Sequence, residues 1–352
     1  MKFCFLTHTQ AFLGTYRIWF RALPRALSQE GHNVETNPTE LSSDVDCFVV
    51  TPEQNIEKLR RDMPNALIGT LKPQYFFKKE YSQKIQYLDF LVAGTRFESD
   101  QLLPLGLPIV ILRHADEIWE DLPELANHEL SDADPKKPIM IGYHGNRQHL
   151  EQLGGYIGQA LEELSQETPI RLNAIYNISA FGRWQIGRPS IPISDIQWDQ
   201  QTYLKKLKES DIGIVPNNSP STRQKRFNRI MNMPLFSGHW LGSHENDVFL
   251  RLKRTSNAGR GFIFAQLGLP IVSCPIPEIL ETLVPADAAI PATNKESWKA
   301  ALRLLIENPQ LRKDMGKRGY DWTKKNLSMN DEAVKFIHFL IALSKKDRDL
   351  SV

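Results

Sequence analysis

The chain has 352 residues, of which 41% are hydrophobic and 24% charged, and a formal net charge of +2. That length suits two α/β domains, the apolar content excludes a disordered chain, and so small a net charge gives no reason to expect a nucleic-acid partner. Basic residues gather locally instead, at 205–208, 223–226 and 251–254, as on a binding face.

The opening Met1-Lys2-Phe3-Cys4-Phe5-Leu6 is apolar but short, and Thr7, His8 and Thr9 follow where a signal peptide would continue its hydrophobic run. No run reaches membrane-spanning length. The three cysteines, Cys4, Cys47 and Cys274, are odd in number, lie in strand-like runs and lack metal-ligand spacing. Buried reduced thiols in a cytoplasmic protein are the economical expectation, and no metal site is expected.

In chain order, Lys2 to Thr7 predicts a strand, and Gly14-Thr15-Tyr16-Arg17 leads into an amphipathic helix through Leu23, Ala26 and Leu27 that stops at Gly31. Strands are predicted at 46–50, 66–71, 90–94 and 108–112, with a helix at 56–63. Continuous apolar runs separated by helical segments argue for a parallel sheet covered on both faces. The acidic, Pro-containing stretch 116–137 reads as an interdomain connection. A second sheet opens at 138–143, and the turn His144-Gly145-Asn146-Arg147 runs into a helix around 156–164. Strands near 171–176, 196–198 and 211–216 and a helix at 202–209 follow. The segment 217–250 has little periodicity and is rich in Arg, Asn, Met and Trp, as functional loops or insertions are.

The stretch 253–274 organises this half: a cationic loop, a short helix closed by Gly268, then a buried strand from Leu269 to Cys274. Lys253, Arg254, Ser256 and Asn257 precede the positive end of the helix dipole, an arrangement that suits an anion. A basic loop beside a buried strand is the plainer alternative. The chain closes with Pro277-Glu278-Ile279, a strand at 288–290, and helices at 297–307, 311–323 and 331–345.

Three motifs in this order resemble the nucleotide-sugar-binding half of GT-B glycosyltransferases, in particular the retaining group 1 family. They are Ile141-Gly142-Tyr143-His144-Gly145-Asn146-Arg147, then Ile196-Gln197-Trp198 through Ile212-Gly213-Ile214-Val215-Pro216-Asn217, then Gly268-Leu269-Pro270-Ile271-Val272. Asn308-Pro309-Gln310-Leu311-Arg312 resembles the family's closing pattern, and Gly14, Arg17 and Leu112-Arg113-His114-Ala115-Asp116 match its first half more loosely. The resemblance implies an α/β fold of two Rossmann-like, doubly wound parallel-sheet domains facing a cleft. Its divisions here are an acceptor domain at 1–115, a linker at 116–137, a donor domain at 138–325, and a helix at 326–352 packing back on the first domain. One departure stands out: the paired glutamates of many retaining members fall here on Thr255 and Ile263. A subset of related sequences carries a Lys, Ser-Asn and an Arg before this helix, which Lys253, Ser256, Asn257 and Arg260 imitate.

The resemblance implies a nucleoside diphosphate sugar as donor, with no other cofactor and no metal. Arg147, Lys253 and Arg260 are the cationic candidates for the departing diphosphate, with Gly145, Asn146, Ser256 and Asn257 beside them. Gln197, Trp198, Pro216 and Asn217 fall where the base would lie, and Glu278 near ribose or sugar; Trp198 equally suits a core position and Glu278 a helix N-terminus. Across the cleft, His8 is the candidate general base, with Gly14 and Arg17 framing the acceptor. The leading expectation is a metal-independent transferase of surface-polysaccharide biosynthesis, with a glycan or lipid-linked acceptor and peripheral contact with the inner face of a membrane through 223–240 or the apolar tail 336–343. That tail equally suits packing on the first domain. A sugar-nucleotide epimerase of the same fold and a non-catalytic nucleotide-sugar-binding protein remain open.

Overall fold

Apolar runs that bury both faces build two separate six-stranded sheets, and every strand pairing within them is parallel. The structure, a computed structural model, describes residues 1–9, 14–77, 79–114, 116, 118, 137–217 and 258–349. It divides into two units, Met1–Glu117 with Leu327–Val352, and Ile118–Asn326.

In the first unit the strands are β1 (Lys2–Leu6), β2 (Asn33–Thr36), β3 (Cys47–Val50), β4 (Leu67–Thr70), β5 (Phe90–Ala93) and β6 (Ile109–Ile111), in the order β2-β1-β3-β4-β5-β6. The centres of β1, β3 and β5 are buried on alternate residues of both faces, which is why they read as unbroken apolar runs and not as alternating ones. β2 escapes the sequence reading because three of its four residues, Asn33, Glu35 and Thr36, are polar and none is fully buried at the sheet edge. The helical turn Gly14–Tyr16 and a π-wound segment Arg17–Ala22 lead into α1 (Leu23–Gln29), where an uninterrupted α-helix was the sequence expectation. The remaining helices labelled here are α2 (Ile56–Asp62), capped by the Asn55 side chain on the Lys58 N–H, and α3 (Arg96–Leu102), capped by Thr95 on the Glu98 N–H.

The second unit holds β7 (Ile139–His144), α4 (Arg147–Leu150), α5 (Tyr156–Glu167), β8 (Ile170–Tyr176), β9 (Ile193–Gln197), α6 (Tyr203–Lys208) and β10 (Ile212–Val215). After residue 258 come α7 (Gly259–Gln266), β11 (Ile271–Ser273), α8 (Pro277–Glu281), β12 (Ala289–Pro291), α9 (Lys295–Glu307) and α10 (Pro309–Asn326). The strand order is β12-β11-β10-β7-β8-β9. α7 lies directly on β10: a Cβ on Gly213 would stand 2.5 Å from the Phe264 ring, so only glycine lets this helix approach so closely. Its core joins Ile141, Tyr143, Ile212, Val272 and Trp298. α9 starts on a reciprocal Asn294–Ser297 capping box.

The last helix, α11 (Met329–Asp349), belongs to the first unit and packs on α1. Phe336, fully buried, meets the rings of Phe3 and Phe90 at 6.0 and 5.8 Å. Glu332 fixes the start of the helix by accepting the Arg113 N–H at 2.9 Å. Phe336 and Leu340 of the apolar tail are therefore core residues rather than a surface for lipid. No helix among the described residues is long and apolar enough to cross a membrane. Cys4, Cys47 and Cys274 are buried thiols with no disulfide, and burial pushes the Cys4 thiol up to about 12. The stretches 119–136 and 218–257 lie outside the described residues, and with them most of the expected connection and the basic segment 223–240.

Candidate functional site

Strand order locates the site in the second unit. From β7 the chain steps outward through β8 to β9, then returns to β10 and steps the other way to β11 and β12. The reversal falls between β7 and β10, and a ligand of a doubly wound sheet binds at the carboxyl edge of such a strand pair. β7 delivers His144, Gly145, Asn146 and Arg147 there, β10 delivers Pro216 and Asn217, and the first turn of α7 delivers Arg260.

Arg260 is the centre of this group. Its Nη2 lies 3.4 Å from Asn217 Oδ1, and its carbonyl oxygen lies 3.1 Å from His144 Nε2. A carbonyl only accepts, so Nε2 is the protonated nitrogen of His144. The imidazole is 8% exposed and stands edge-on to Phe264 at 5.0 Å. The Arg260 side chain as a whole keeps some exposure, but its Nη1 is out of solvent and has no hydrogen-bond partner among the described residues. Burial pulls the guanidinium below its ordinary range, and Tyr143 and Cys274 oppose that by favouring its charge. An arginine remains protonated under such a pull, so the site keeps a cation. The neighbouring Tyr143 is raised by burial, and its hydroxyl donates to Asn146 O at 2.6 Å.

Gly145 makes this arrangement possible. Its φ is +136°, and a Cβ there would stand 3.0 Å from Arg260 Cδ and 3.1 Å from the Tyr143 hydroxyl. Gly145, Asn146, Asn217 and Arg260 are thus brought together. Arg147 faces elsewhere, with Nη2 3.9 Å from Glu151 and Nη1 3.6 Å from where a Gly182 Cβ would be. Its Nε is buried without a hydrogen-bond partner among the described residues.

Gln197 and Trp198 end β9, two strands from β7 and so about 10 Å along the same edge. Gln197 accepts the Ser179 N–H at 2.9 Å and donates to Trp198 O at 2.7 Å, while Trp198 stacks at a tilt on Tyr203, 5.6 Å away. Glu278, in the first turn of α8, is 4% exposed and accepts the Ala258 N–H at 2.5 Å, which anchors the residue from which α7 starts. Ile263, at one of the two positions where the resembled family keeps a glutamate, is 3% exposed in the core side of α7. Lys253, Thr255, Ser256 and Asn257 lie outside the described residues. Tyr143 and His144 are the site residues that sequence reasoning did not nominate. Tyr143 shares the face of β7 with Ile141, a period-two signal that marks it as inward-facing.

In the first unit the reversal lies between β1 and β3. His8, exposed, stands just past β1, and the loop is pinned by Asn37, whose side chain accepts the Thr7 N–H at 2.8 Å and donates to Thr7 O at 3.1 Å. Arg17 forms a two-pronged ion pair with Asp116, which offsets its charge. Gly14 is exposed, and no atom of the described residues beyond its chain neighbours stands within 4 Å of a Cβ placed on it. His114 is half-buried, accepts the Trp19 indole N–H at 3.2 Å, and is pulled down to about 4 by burial.

No family model matches the sequence, and no curated protein matches it. Solved structures do match in fold. Sucrose-phosphate synthase from Thermosynechococcus elongatus superposes with a TM-score of 0.65 at 9% identity, over 98% of this chain and 99% of that one. MnaA from S. aureus, in a structure with UDP, gives 0.52 at 14% identity over 97% of each chain. Trehalose-6-phosphate from E. coli bound with UDP-2-fluoro glucose gives 0.54 at 14% identity, over 85% of this chain and 73% of that one. At such identities the likeness is one of fold: two parallel six-stranded sheets with flanking helices, the GT-B architecture.

Proposed function

We propose that the protein is a glycosyltransferase that moves a sugar from a nucleoside diphosphate sugar to a glycan or lipid-linked acceptor. The observation that carries this reading is Arg260, a guanidinium at the reversal of the second sheet with one nitrogen on Asn217 and another buried and, among the described residues, unpartnered. An unsatisfied buried donor costs about 1–3 kcal/mol, and a diphosphate oxygen would satisfy it with a charge-assisted hydrogen bond. Two of the structures alike in fold carry UDP or a UDP sugar analogue, which contain such a diphosphate.

The chemistry follows from where charge develops. As the bond from the anomeric carbon to the diphosphate oxygen breaks, negative charge grows on the departing nucleotide, and a preorganised cation lowers that barrier. In this reading Arg260, with Lys253, offsets the charge without a metal, and Ser256, Asn257, Gly145 and Asn146 line the phosphates. Gln197, Trp198 and Pro216 lie toward the base. Glu278 acts by holding the start of α7. The acceptor hydroxyl bonds to the anomeric carbon and passes its proton to His8.

Calorimetry with UDP, GDP, ADP and dTDP tests the reading. One of them should bind, and Arg260→Gln should weaken it about tenfold or more while leaving the affinity for the corresponding nucleoside unchanged. Binding of none of the four would sink the proposal. With the binding nucleotide known, release of nucleoside diphosphate that depends on an acceptor and survives EDTA supports metal-independent transfer. Interconversion of sugar epimers would replace it with an epimerase, and binding without turnover with a binding protein.

A further inference from the structure

We propose that Gln266 is a positioning residue of the nucleotide site: it makes α7, the helix that carries Arg260, the anchor at which the chain enters the second unit, so that a nucleotide on Arg260 and the backbone at Ile118 steady each other. The nucleotide half of this statement rests on the glycosyltransferase reading; the tie between Gln266 and Ile118 does not.

α7 is apolar from Phe262 to Ala265, and the glutamine that closes it is fully buried, a costly place for an amide unless it is hydrogen-bonded. Gln266 Oε1 accepts the Ile118 N–H at 3.0 Å. Ile118 is itself 3% exposed, and a buried backbone donor there requires an acceptor. The residues just before it are fastened elsewhere. The Arg113 N–H donates to Glu332 in α11, His114 accepts from Trp19, and the Asp116 carboxylate takes Arg17, all within the first unit. The chain therefore passes from first-unit anchors to a second-unit anchor between Asp116 and Ile118.

The other end of the second unit meets the same helix. The unit closes at Asn326, the last residue of α10, and α10 lies on α7: the Trp322 and Phe262 rings stack 5.7 Å apart, and a Cβ on Gly319 would stand 3.3 Å from Ala265 Cβ. α7 is also held at its start, where Glu278 accepts the Ala258 N–H and His144 meets the Arg260 carbonyl. Arg260 and Gln266 stand six residues apart, about 9 Å along one short helix. A close-packed helix of this length moves as a piece, so a ligand that fixes its first turn also fixes the acceptor for Ile118. Thermodynamic linkage makes the effect reciprocal.

The test is amide hydrogen exchange at Ile118 in the full chain, with and without saturating UDP, GDP, ADP or dTDP, whichever binds. Bound nucleotide should slow that exchange about fivefold or more. Gln266→Met keeps the side-chain length and removes the acceptor, so the slowing should vanish. Affinity for the nucleoside diphosphate should then fall about threefold or more while that for the nucleoside stays level, whereas a general loss of stability would weaken both alike. Gln266→Glu, which still accepts the N–H, should restore both the slowing and the affinity. Slowing that is absent from the wild type with nucleotide bound, or that survives in Gln266→Met, would overturn the proposal. His144→Leu frees the first turn of α7 and should speed Ile118 exchange about fivefold with no ligand present. An unchanged rate there would overturn the tie even if Gln266→Met does not fold. If no nucleotide binds but His144→Leu speeds exchange at Ile118, the transferase reading falls and the coupling through α7 stands.

Discussion

The imidazole of His144, at the end of β7, holds the carbonyl of Arg260, in the first turn of α7, at 3.1 Å. Through this bond the strand at the sheet's reversal sets the position of a helix that enters the chain more than a hundred residues later. His144→Leu would leave that carbonyl unsatisfied in a buried setting, at a cost of about 1–3 kcal/mol. Urea unfolding should record that loss, and nucleotide affinity should fall with it. A variant as stable and as tight as the wild type would show that the bond does not position Arg260.

Gly145→Ala tests the same cluster from the other side. At φ +136° an alanine is strained, by about 1–3 kcal/mol, and its methyl would press on Arg260 Cδ and the Tyr143 hydroxyl. The variant should melt several degrees lower and bind nucleotide more weakly. An unchanged melting temperature would contradict the stated geometry.

Phe336→Ala removes a fully buried ring that touches Phe3 and Phe90. Large-to-small core changes of this kind cost about 3–5 kcal/mol. Limited proteolysis should then cut the first unit, including α11, at lower urea than the second. Loss of the second unit first would show that the helix is not held by this ring.

His114 makes acid stability measurable. Burial lowers it to about 4, while the nearby Asp116 charge pulls it weakly upward. Unfolding restores an ordinary imidazole near pH 6.5, so below that pH the unfolded chain binds a proton that the folded one refuses. The stability tied to His114 is therefore whole above about pH 6.5 and falls as the pH drops toward 4, by roughly 1–3 kcal/mol. Urea midpoints at pH 7 and pH 4.5 should differ less in His114→Gln than in the wild type. An equal difference in both would assign the acid sensitivity to other groups.

The strands that read most plainly, 46–50, 66–71 and 90–94, appear within a residue or two as β3, β4 and β5, because strands buried on both faces carry their burial in composition. β2 has no such signature, since an edge strand half in solvent is held by pairing with β1 rather than by its own side chains. The π winding of Arg17–Ala22 is equally silent, because apolar spacing there fits an ordinary helix as well.

At the candidate site, the chain alone determined which residue types stand at strand ends: His144, Gly145 and Asn146 after β7, Pro216 and Asn217 after β10, and a cationic run before the strand that begins at Ile271. Only the tertiary structure decided that Arg260 meets Asn217 and His144 while Arg147 turns to Glu151, and that Arg17 is paired with Asp116 while Lys72 reaches toward Thr9. The physical reason is that strand periodicity is a property of neighbours along the chain. Which charge a long side chain meets depends on strand order and on the space left by residues far away in sequence.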